Sequence, residues 1–237
     1  ITPQNRLSKL KRLIKVKKIV KILETHNSLA GLIIENLSHI KNSQSLEFDG
    51  MWSSSLADSL TKGKPDNQSV DYSTRILGLN DIMDVTTKPL IFDADNGGRV
   101  EHLPYLVKTL ERIGVSAMVM EDKIGEKTNS LFEDQKKTKQ DSIKNFCRKL
   151  KIAKNSKISD DFFVIARVES FILGKSLNDA LNRAINYVKA GADGILIHSK
   201  EKTPHQIFEF AKKFKRTKYF CPLVAVPSTY SKVKEKE

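Results

Sequence analysis

Cysteine is scarce in the 237-residue chain, and its two cysteines, Cys147 and Cys221, lie far apart without the spacing of metal ligands or redox pairs. We therefore expect two buried free thiols. Long apolar runs are also absent, because no stretch approaches the roughly 18 residues that a membrane-spanning helix needs. The N-terminal residues contain no hydrophobic region of a signal peptide. These absences predict a cytoplasmic protein that does not bind membranes.

Acidic residues are outnumbered by basic ones, 28 against 41, so the formal net charge is +13. Such an excess suggests a nucleic acid or another anionic partner. Much of the excess is local, because residues 6–21 contain no acid and these basic residues: Arg6, Lys9, Lys11, Arg12, Lys15, Lys17, Lys18 and Lys21. Aromatic residues are not interleaved with them. We therefore expect a solvated lysine-rich surface, not a nucleic-acid interface.

The apolar residues predict alternating helices and strands. Leucines and isoleucine at helical spacing predict an amphipathic basic helix over residues 5–18. Two further segments, residues 99–114 and 176–194, also have helical spacing, and the second begins at Ser176 as N-cap and stops at Gly191. Seven short apolar runs predict strands: residues 19–23, 48–52, 89–95, 115–122, 162–170, 194–199 and 222–228. Alternation of this kind predicts a parallel sheet, because parallel strands need crossover connections.

Two parallel α/β architectures fit this alternation, a doubly wound sheet and a (β/α)8 TIM-type barrel. The doubly wound sheet should carry a glycine-rich turn after an early strand, and the chain contains no G-x-G-x-x-G motif. The barrel predicts polar residues at the C-terminal ends of several strands. The runs do end in such residues: Trp52-Ser-Ser-Ser55, Asp93-Ala-Asp95, Glu121-Asp-Lys123, Arg167-Val-Glu169 and His198-Ser199. We therefore predict a single barrel domain over residues 1–237.

The acids at these strand ends indicate a divalent cation. Each acid has a simpler explanation as a helix cap, but several acids crowded at one barrel mouth would repel one another without a cation. Asp93, Asp95 and Glu121 offer hard oxygen ligands with no cysteine pair or histidine cluster nearby, which favours Mg²⁺ over Zn²⁺. Magnesium keeps several waters, so a single directly bound acid would suffice.

The cations at the same strand ends indicate an anionic substrate. Arginine suits a carboxylate through its planar fork, and lysine suits a phosphoryl group as a compact charge. Arg167, Lys127 and His198 therefore point to a small anion. Together with a metal, they predict a Mg²⁺-dependent enzyme acting on a small carboxylate that carries phosphorus.

Six segments resemble the phosphoenolpyruvate mutase/isocitrate lyase superfamily, and the resemblance runs from about residue 24 to residue 230. The segments are DGMWSSSLADS, GKPD, DADNGG, EDKIGEKTNS, ARVES and GILIHSK. Glu-Asp-Lys followed by K-x-N-S is similar to the mutase branch, whereas lyases of the isocitrate type carry a catalytic cysteine in the corresponding loop, and this loop has none. The resemblance implies an isomerase that interconverts phosphoenolpyruvate and phosphonopyruvate, which forms the C–P bond in phosphonate biosynthesis.

The resemblance also implies roles for single residues. Asp93 would bind Mg²⁺ directly, and Asp95 and Glu121 would hold it through water; Asp122, the second acid of Glu-Asp-Lys, would also belong to the metal shell. Asp66, in GKPD, would be catalytic, either as phosphoryl acceptor or as stabiliser of a metaphosphate-like species.

The substrate contacts implied by the resemblance involve two groups of residues. The substrate carboxylate and enol oxygen would meet the side chains of Arg167 and Ser54 and the backbone N–H groups of Ser55 and Leu56, with Trp52 as the pocket wall. The phosphoryl group would be surrounded by His198 and by Lys127, Asn129 and Ser130 of a gating loop. Lys123 and Glu169 would support the site through ion pairing.

The chain departs from the family pattern at several places. Ser55 stands where many relatives have glycine, and residues 38–47 resemble an insertion before the second strand. Seven strands are predicted where the family has eight, and the chain stops soon after residues 224–230. We therefore expect a barrel truncated before the eighth strand and terminal helix, as a fragment of a longer chain. The resemblance implies a homo-oligomer formed through that missing helix.

Two alternative functions remain at this stage. A phosphonopyruvate hydrolase would use the same metal site but let water take the phosphoryl group; the pair Asn129-Ser130 favours the mutase. A catalytically dead basic module would bind nucleic acid or another polyanion, and it would need none of the acids, arginine and loop residues found here.

Overall fold

The computed structural model describes residues 1–41, 43–130 and 138–234, which divide into two compact units. Unit 1 comprises Ile1–Met118 and Ser156–Phe163, and unit 2 comprises Val119–Asn155 and Val164–Glu237. Each unit is an α/β structure of its own. The prediction that residues 1–237 form a single domain stays a prediction.

Unit 1 is built on short parallel strands flanked by helices. Its helices are α1 Pro3–Val16, α2 Ser28–Asn36, α3 Ser55–Leu60, α4 Tyr72–Val85 and α5 Leu103–Ile113. Its strands are β1 Ile22–Glu24, β2 Ser38–Lys41, β3 Gln44–Glu47, β4 Gly50–Ser53, β5 Leu90–Asp93 and the first residues of β6 Ala117–Glu121. The order β1-β4-β5-β6 forms its sheet, with β1, β4 and β5 parallel. The predicted insertion at residues 38–47 is the antiparallel hairpin of β2 and β3.

The basic N-terminal helix is packed onto unit 1. The predicted helix over residues 5–18 is α1, which begins at Pro3 after the N-cap Thr2 and ends at Val16. Arg6 is buried and donates hydrogen bonds to the carbonyl oxygens of Met83 and Lys88, at 2.8 and 3.2 Å. Other basic side chains of the segment also bind within unit 1: Lys9 to the Thr87 carbonyl oxygen, and Lys11 and Lys17 to the carboxylates of Asp161 and Asp49. Several of the basic side chains of this segment therefore make hydrogen bonds and ion pairs that hold α1 and the following residues on unit 1.

Unit 2 repeats the alternation of strands and helices. Its strands are the last residues of β6, β7 Lys123–Gly125, β8 Thr138–Gln140, β9 Phe163–Val168, β10 Gly194–Ile197 and β11 Leu223–Ala225. Its helices are α6 Ile143–Ser156, α7 Leu177–Lys189 and α8 His205–Phe214. The order β6-β9-β10-β11 forms the sheet, with β9, β10 and β11 parallel, while β7 and β8 form an antiparallel hairpin. No helix of the described residues is long and apolar enough to cross a bilayer.

The seven predicted strands are confirmed, and the predicted helix ends are largely correct. Helix α7 begins after Ser176, whose hydroxyl oxygen accepts the N–H of Asp179 at 3.2 Å. Helix α5 begins at Leu103, four residues later than predicted, because Pro104 is tolerated only in the first turn of a helix. It ends at Gly114 in the left-handed region with φ of 90°.

The cysteine prediction is half correct. Cys147 and Cys221 are free thiols, but both are partly exposed instead of buried. Cys147 lies at the side of α6, where its Sγ is 3.5 Å from the carbonyl oxygen of Asn186, so helix packing covers only part of the side chain.

Candidate active site

Two predicted metal ligands follow β5 in unit 1. Asp93 is the last residue of β5 and Asp95 comes two residues later, and their exposed fractions are only 8% and 4%. One Asp93 oxygen accepts the N–H of Asp95 at 3.0 Å, and the other lies 3.4 Å from the Ser55 hydroxyl. Asp95 has φ of 48°, a left-handed conformation that aspartate tolerates better than most residues. The strand end therefore holds two buried carboxylates, and that of Asp93 lies close to a hydroxyl.

Arg75 of α4, which the sequence analysis did not identify, is the counter-charge of these carboxylates. Its Nη1 lies 3.6 Å from the Asp95 carboxylate, and its Nε donates to Asp58 at 2.8 Å. Burial would lower the pKa of Arg75, but the carboxylates of Asp95, Asp58 and Asp93 raise it above the ordinary value. Arg75 therefore carries a full positive charge although it is only 3% exposed.

The other predicted site residues of unit 1 lie on β4, on α3 and in the following turn. Trp52 is half-buried in β4, and Ser54 is the N-cap of α3, accepting the N–H of Ala57 at 3.1 Å. Ser55 and Leu56 are the first two residues of α3. Asp66 is half-buried in a turn. Of this group, Ser55 contacts Asp93 through its hydroxyl.

The predicted cations and acids of unit 2 form a buried ion network around Glu169. This carboxylate is 0% exposed, and it pairs with Arg167 and with Lys123, whose Nζ is 3.5 Å away. Burial would raise the pKa of Glu169, but Arg167 and Lys123 outweigh it and lower the pKa to about 2. Glu121 joins the network at 3.7 Å from Arg167 Nε and 3.9 Å from Lys123 Nζ. The ion pairing predicted for Lys123 and Glu169 is present.

Ser130 lies inside this network. Its hydroxyl donates to Glu169 at 2.7 Å and accepts from Lys123 Nζ at 2.7 Å and from Arg167 Nη2 at 2.8 Å. One donor and two acceptor positions are all that a hydroxyl offers. Ser130 therefore anchors the end of the described loop segment, while Lys127 and Asn129 remain half-buried.

His198 follows β10 and presents a buried donor. Its Nδ1 lies 3.2 Å from Arg167 Nη2, and since the guanidinium can only donate, Nδ1 accepts and the ring proton is on Nε2. Burial, together with the positive charge of Arg167, lowers the pKa of His198 to about 4, so the ring is neutral at pH 7. Nε2 is buried and has no hydrogen-bond partner among the residues that the structure describes. Buried N–H groups are nearly always paired, so this one is available for a ligand.

Asp122 lies elsewhere than expected. The resemblance implied that it belongs to the metal shell, but its carboxylate accepts from Tyr187 Oη at 2.6 Å and from Arg183 Nη1 at 3.2 Å. Adjacent strand residues point to opposite faces, so Glu121 and Asp122 cannot serve the same side. The second Asp122 oxygen accepts the backbone N–H of Glu169 at 2.9 Å. Asp122 therefore contacts the ion network through the backbone of Glu169 and not through its charged side chains.

The donor set of the predicted metal site fits Mg²⁺. Among residues 1–41, 43–130 and 138–234, no group of three histidine, cysteine or acidic side chains is arranged to hold a metal ion. The predicted arrangement needs only Asp93 in direct contact, with waters between the ion and the other acids. The buried carboxylates of Asp93 and Asp95, and the Ser55 hydroxyl that lies beside Asp93, are hard oxygen donors, the class that Mg²⁺ prefers.

Comparison with known proteins gives the same family over most of the chain. A model of the phosphoenolpyruvate phosphomutase family matches residues 10–237. The phosphoenolpyruvate phosphomutase of Tetrahymena pyriformis is 37% identical over 228 residues, which cover 95% of this chain and 71% of that protein.

Solved structures agree with this result. The crystal structure of a phosphoenolpyruvate phosphomutase from Streptomyces platensis subsp. rosaceus superposes with a TM-score of 0.87 at 30% identity, covering 96% of this chain and 75% of its own. A phosphonopyruvate hydrolase in complex with oxalate and Mg²⁺ gives 0.84 at 32% identity, covering 100% and 76%. These likenesses confirm the predicted α/β fold class of TIM type. The chain belongs to the phosphoenolpyruvate phosphomutase family of enzymes.

Proposed function

We propose that this protein interconverts phosphoenolpyruvate and phosphonopyruvate in a Mg²⁺-dependent reaction. In the direction of synthesis, the bond between phosphorus and the enol oxygen breaks, and a bond between phosphorus and C3 forms. No atom is gained or lost, so the reaction is an isomerisation, and it creates the C–P bond of phosphonates.

The observation that carries the proposal is the pair Arg167 and His198. The half-buried Arg167 guanidinium lies 3.2 Å from Nδ1 of His198, and the buried Nε2–H of the same imidazole has no hydrogen-bond partner among the described residues, so a charged donor and a neutral donor stand on neighbouring side chains. Both groups favour an anion with several oxygens. Because His198 is neutral at pH 7, it donates a hydrogen bond without transferring a proton, as the movement of a phosphoryl group requires.

Substrate positioning is divided between the residues named by the family resemblance. Arg167 and the Ser54 hydroxyl bind the carboxylate, and the N–H groups of Ser55 and Leu56 donate to the enol or keto oxygen. Trp52 covers one side of the pocket. Such contacts hold the enol oxygen and C3 at fixed distances from phosphorus, which supplies much of the rate in phosphoryl transfer.

The acids of the predicted site have two roles in the proposal, binding of the metal and transfer of the phosphoryl group. Asp93 would hold Mg²⁺ directly, and Asp95 and Glu121 would hold it through water; the ion, when bound, would supply positive charge that offsets the charge of the substrate. Asp66 accepts the phosphoryl group or stabilises it in transit.

Lys127, Asn129 and Ser130 surround the phosphoryl group and exclude water. The exclusion of water decides between a mutase and a hydrolase, because water that reaches the phosphoryl group gives pyruvate and phosphate, the products of a hydrolase. The Ser130 hydroxyl is held by two donors, Lys123 and Arg167, and by one acceptor, Glu169, which fixes this end of the loop.

Phosphorus NMR of the full-length protein with phosphonopyruvate and Mg²⁺ tests the proposal. We expect a growing phosphoenolpyruvate signal, and its loss in Asn129→Ala. The matched control is Asn36→Ala, which removes an exposed asparagine at the end of α2 and should leave the rate unchanged. Phosphate and pyruvate in place of phosphoenolpyruvate would transfer the assignment to a hydrolase, and no turnover at all would refute both.

We further propose a cytoplasmic homo-oligomer that binds neither membrane nor nucleic acid. The engagement of Arg6, Lys9, Lys11 and Lys17 within unit 1 supports the last point, because these side chains already have partners in the fold. Light scattering after size exclusion measures the oligomeric state. RNA binding that weakens steeply with salt would contradict the proposal.

A further inference from the structure

Arg75 occupies an unusual position for a charged residue, on the buried face of α4. The buried residues of this helix are Arg75, Leu79 and Ile82, spaced at i, i+4 and i+7, so the arginine stands where a core residue would normally stand. Its side chain is 1% exposed. A charge is found at such a site only where it is paired and hydrogen-bonded, so the partners of Arg75 explain its presence.

Those partners lie on three separate segments of unit 1. The guanidinium donates to the Asp58 carboxylate of α3 at 2.8 Å, to the Asp93 carbonyl oxygen at the end of β5 at 2.6 Å, and more weakly to the Ser53 carbonyl oxygen at the end of β4 at 3.5 Å. The Arg75 Cζ also lies over the Phe92 ring, 4.2 Å from its centroid, in a cation–π contact that adds to these bonds.

Arg75 joins the ends of β4 and β5, and both ends lie at residues that the proposed function uses. Asp93 itself is the proposed direct ligand of the metal, and Ser53 immediately precedes the substrate-binding segment that begins at Ser54. Asp58 is tied to the same point, since it also accepts from the Ser53 hydroxyl at 2.9 Å. One side chain therefore sets the spacing between the metal carboxylate and the start of α3.

We propose that Arg75 is a positioning residue for the metal carboxylate, acting through the carbonyl oxygens at the ends of β4 and β5; this inference rests on the proposed metal site. The alternative is that Arg75 serves only as a counter-charge to Asp58, Asp93 and Asp95. The two roles predict opposite results, because a mere counter-charge competes with a bound cation, whereas a positioning residue assists its binding.

Two substitutions separate the effect of the positive charge of Arg75 from that of its hydrogen-bond geometry. Arg75→Lys keeps the positive charge, but an ammonium group cannot make the same fan of hydrogen bonds to three segments that a planar fork makes. Arg75→Met keeps much of the length and removes the charge. Positioning predicts weaker metal binding in both variants, whereas a counter-charge alone predicts unchanged binding in Arg75→Lys and tighter binding in Arg75→Met.

The probe is Mn²⁺ alone, titrated into the substrate-free protein and followed by electron paramagnetic resonance of the free ion. Loss of residues that orient metal ligands typically weakens metal binding 10- to 100-fold, and we expect about a 10-fold or greater rise in Kd for both variants. If Arg75→Met does not fold, Arg75→Lys decides alone: weaker binding supports positioning, and wild-type binding overturns it.

The matched control is Arg6→Met in unit 1. Arg6 is also a buried arginine on a helix, and it donates to the carbonyl oxygens of Met83 and Lys88 in the way that Arg75 donates to those of Asp93 and Ser53. This variant should lose stability but keep the Mn²⁺ affinity of the wild type. An equal loss of affinity in the control would overturn the inference, because general loosening would then explain the result.

The inference and the proposed function can fail separately. If the wild type turns over phosphonopyruvate and the Arg75→Lys variant binds Mn²⁺ with wild-type affinity, the inference alone is overturned. Weakened Mn²⁺ binding in both variants, with no turnover by the wild type, would uphold the inference and refute the mutase. A wild type that binds no Mn²⁺ would refute the metal site together with the inference.

Discussion

The neutral form of His198 makes a quantitative prediction about stability in acid. The residue is 4% exposed and its pKa is lowered from 6.5 to about 4, because burial and the charge of Arg167 oppose protonation. Between these two values the unfolded chain binds a proton that the folded protein does not. Stability therefore falls as pH drops from 6.5 towards 4, and it is unaffected by this group above 6.5.

The size of the effect follows from the two pKa values. A shift of about 2.5 pKa units corresponds to about 3 kcal/mol, lost with a limiting slope of about 1.4 kcal/mol per pH unit. The comparison variant is His198→Asn, whose side-chain oxygen can still accept from Arg167 but which does not titrate. The free energy of unfolding of the wild type should fall relative to that of the variant by about 3 kcal/mol between pH 7 and pH 4.

Urea denaturation at half-unit pH steps, followed by circular dichroism, measures both curves. The difference between them isolates His198 from other titrating groups. Asp122, for example, has a pKa that burial raises to about 6 despite the Tyr187 hydrogen bond, so it acts in the opposite direction, but it is present in both proteins. A difference curve that stays flat from pH 7 to pH 4 would refute the assignment of a buried neutral imidazole.

Three further substitutions test the local structure through the free energy of unfolding in urea. Gly114→Ala should cost more than about 1 kcal/mol, because φ is 90° and the new Cβ would lie 2.9 Å from Pro3 Cα. Gly78→Ala, in the helical α4 with open space around it, should instead stabilise by about 0.5–1 kcal/mol; a loss would contradict the helical assignment. Asp71→Ala should cost about 1 kcal/mol, because it removes the N-cap bond to the N–H of Thr74, and no change would show that solvent replaces it.

The strands could be predicted from sequence because each is a short, continuous apolar run. Strands buried on both faces are almost entirely apolar, as in β6, where every residue is buried and the last one, Glu121, is the charged exception. The ends of the strands are not marked by such a run, since apolar flanks extend it: the run predicts residues 115–122, and Ala117–Glu121 is observed. The α5 boundary required the additional knowledge that Pro104 belongs to a first helical turn.

The site residues at strand ends could also be identified, because parallel strands place their C-terminal ends at the same edge of a sheet. Arg75 and Arg183 were missed since both lie within helices, where an arginine is normally solvent-exposed. A signal was available: each occupies the apolar face of its helix, Arg183 beside Ala180, Ala184 and Tyr187. The misplacement of Asp122 could have been avoided by applying the two-residue period of a strand.

The loop network could not be predicted from sequence. Nothing in EDKIGEKTNS indicates that the Ser130 hydroxyl contacts Lys123, Arg167 and Glu169 at once, because two of these three partners lie 37 and 39 residues away. Hydrogen bonds between distant segments depend on the tertiary fold, and no local pattern encodes them.

The attachment of α1 has a consequence for the order of folding. Arg6 finds its acceptors 77 to 82 residues further along the chain, and its own carbonyl oxygen accepts from Ser116, 110 residues away. Contacts at such separation carry a large loop-closure entropy and form slowly. During synthesis the helix must therefore wait until residue 116 has left the ribosome before it can dock. We expect pulse-labelled hydrogen exchange to show α1 among the last parts of unit 1 to gain protection.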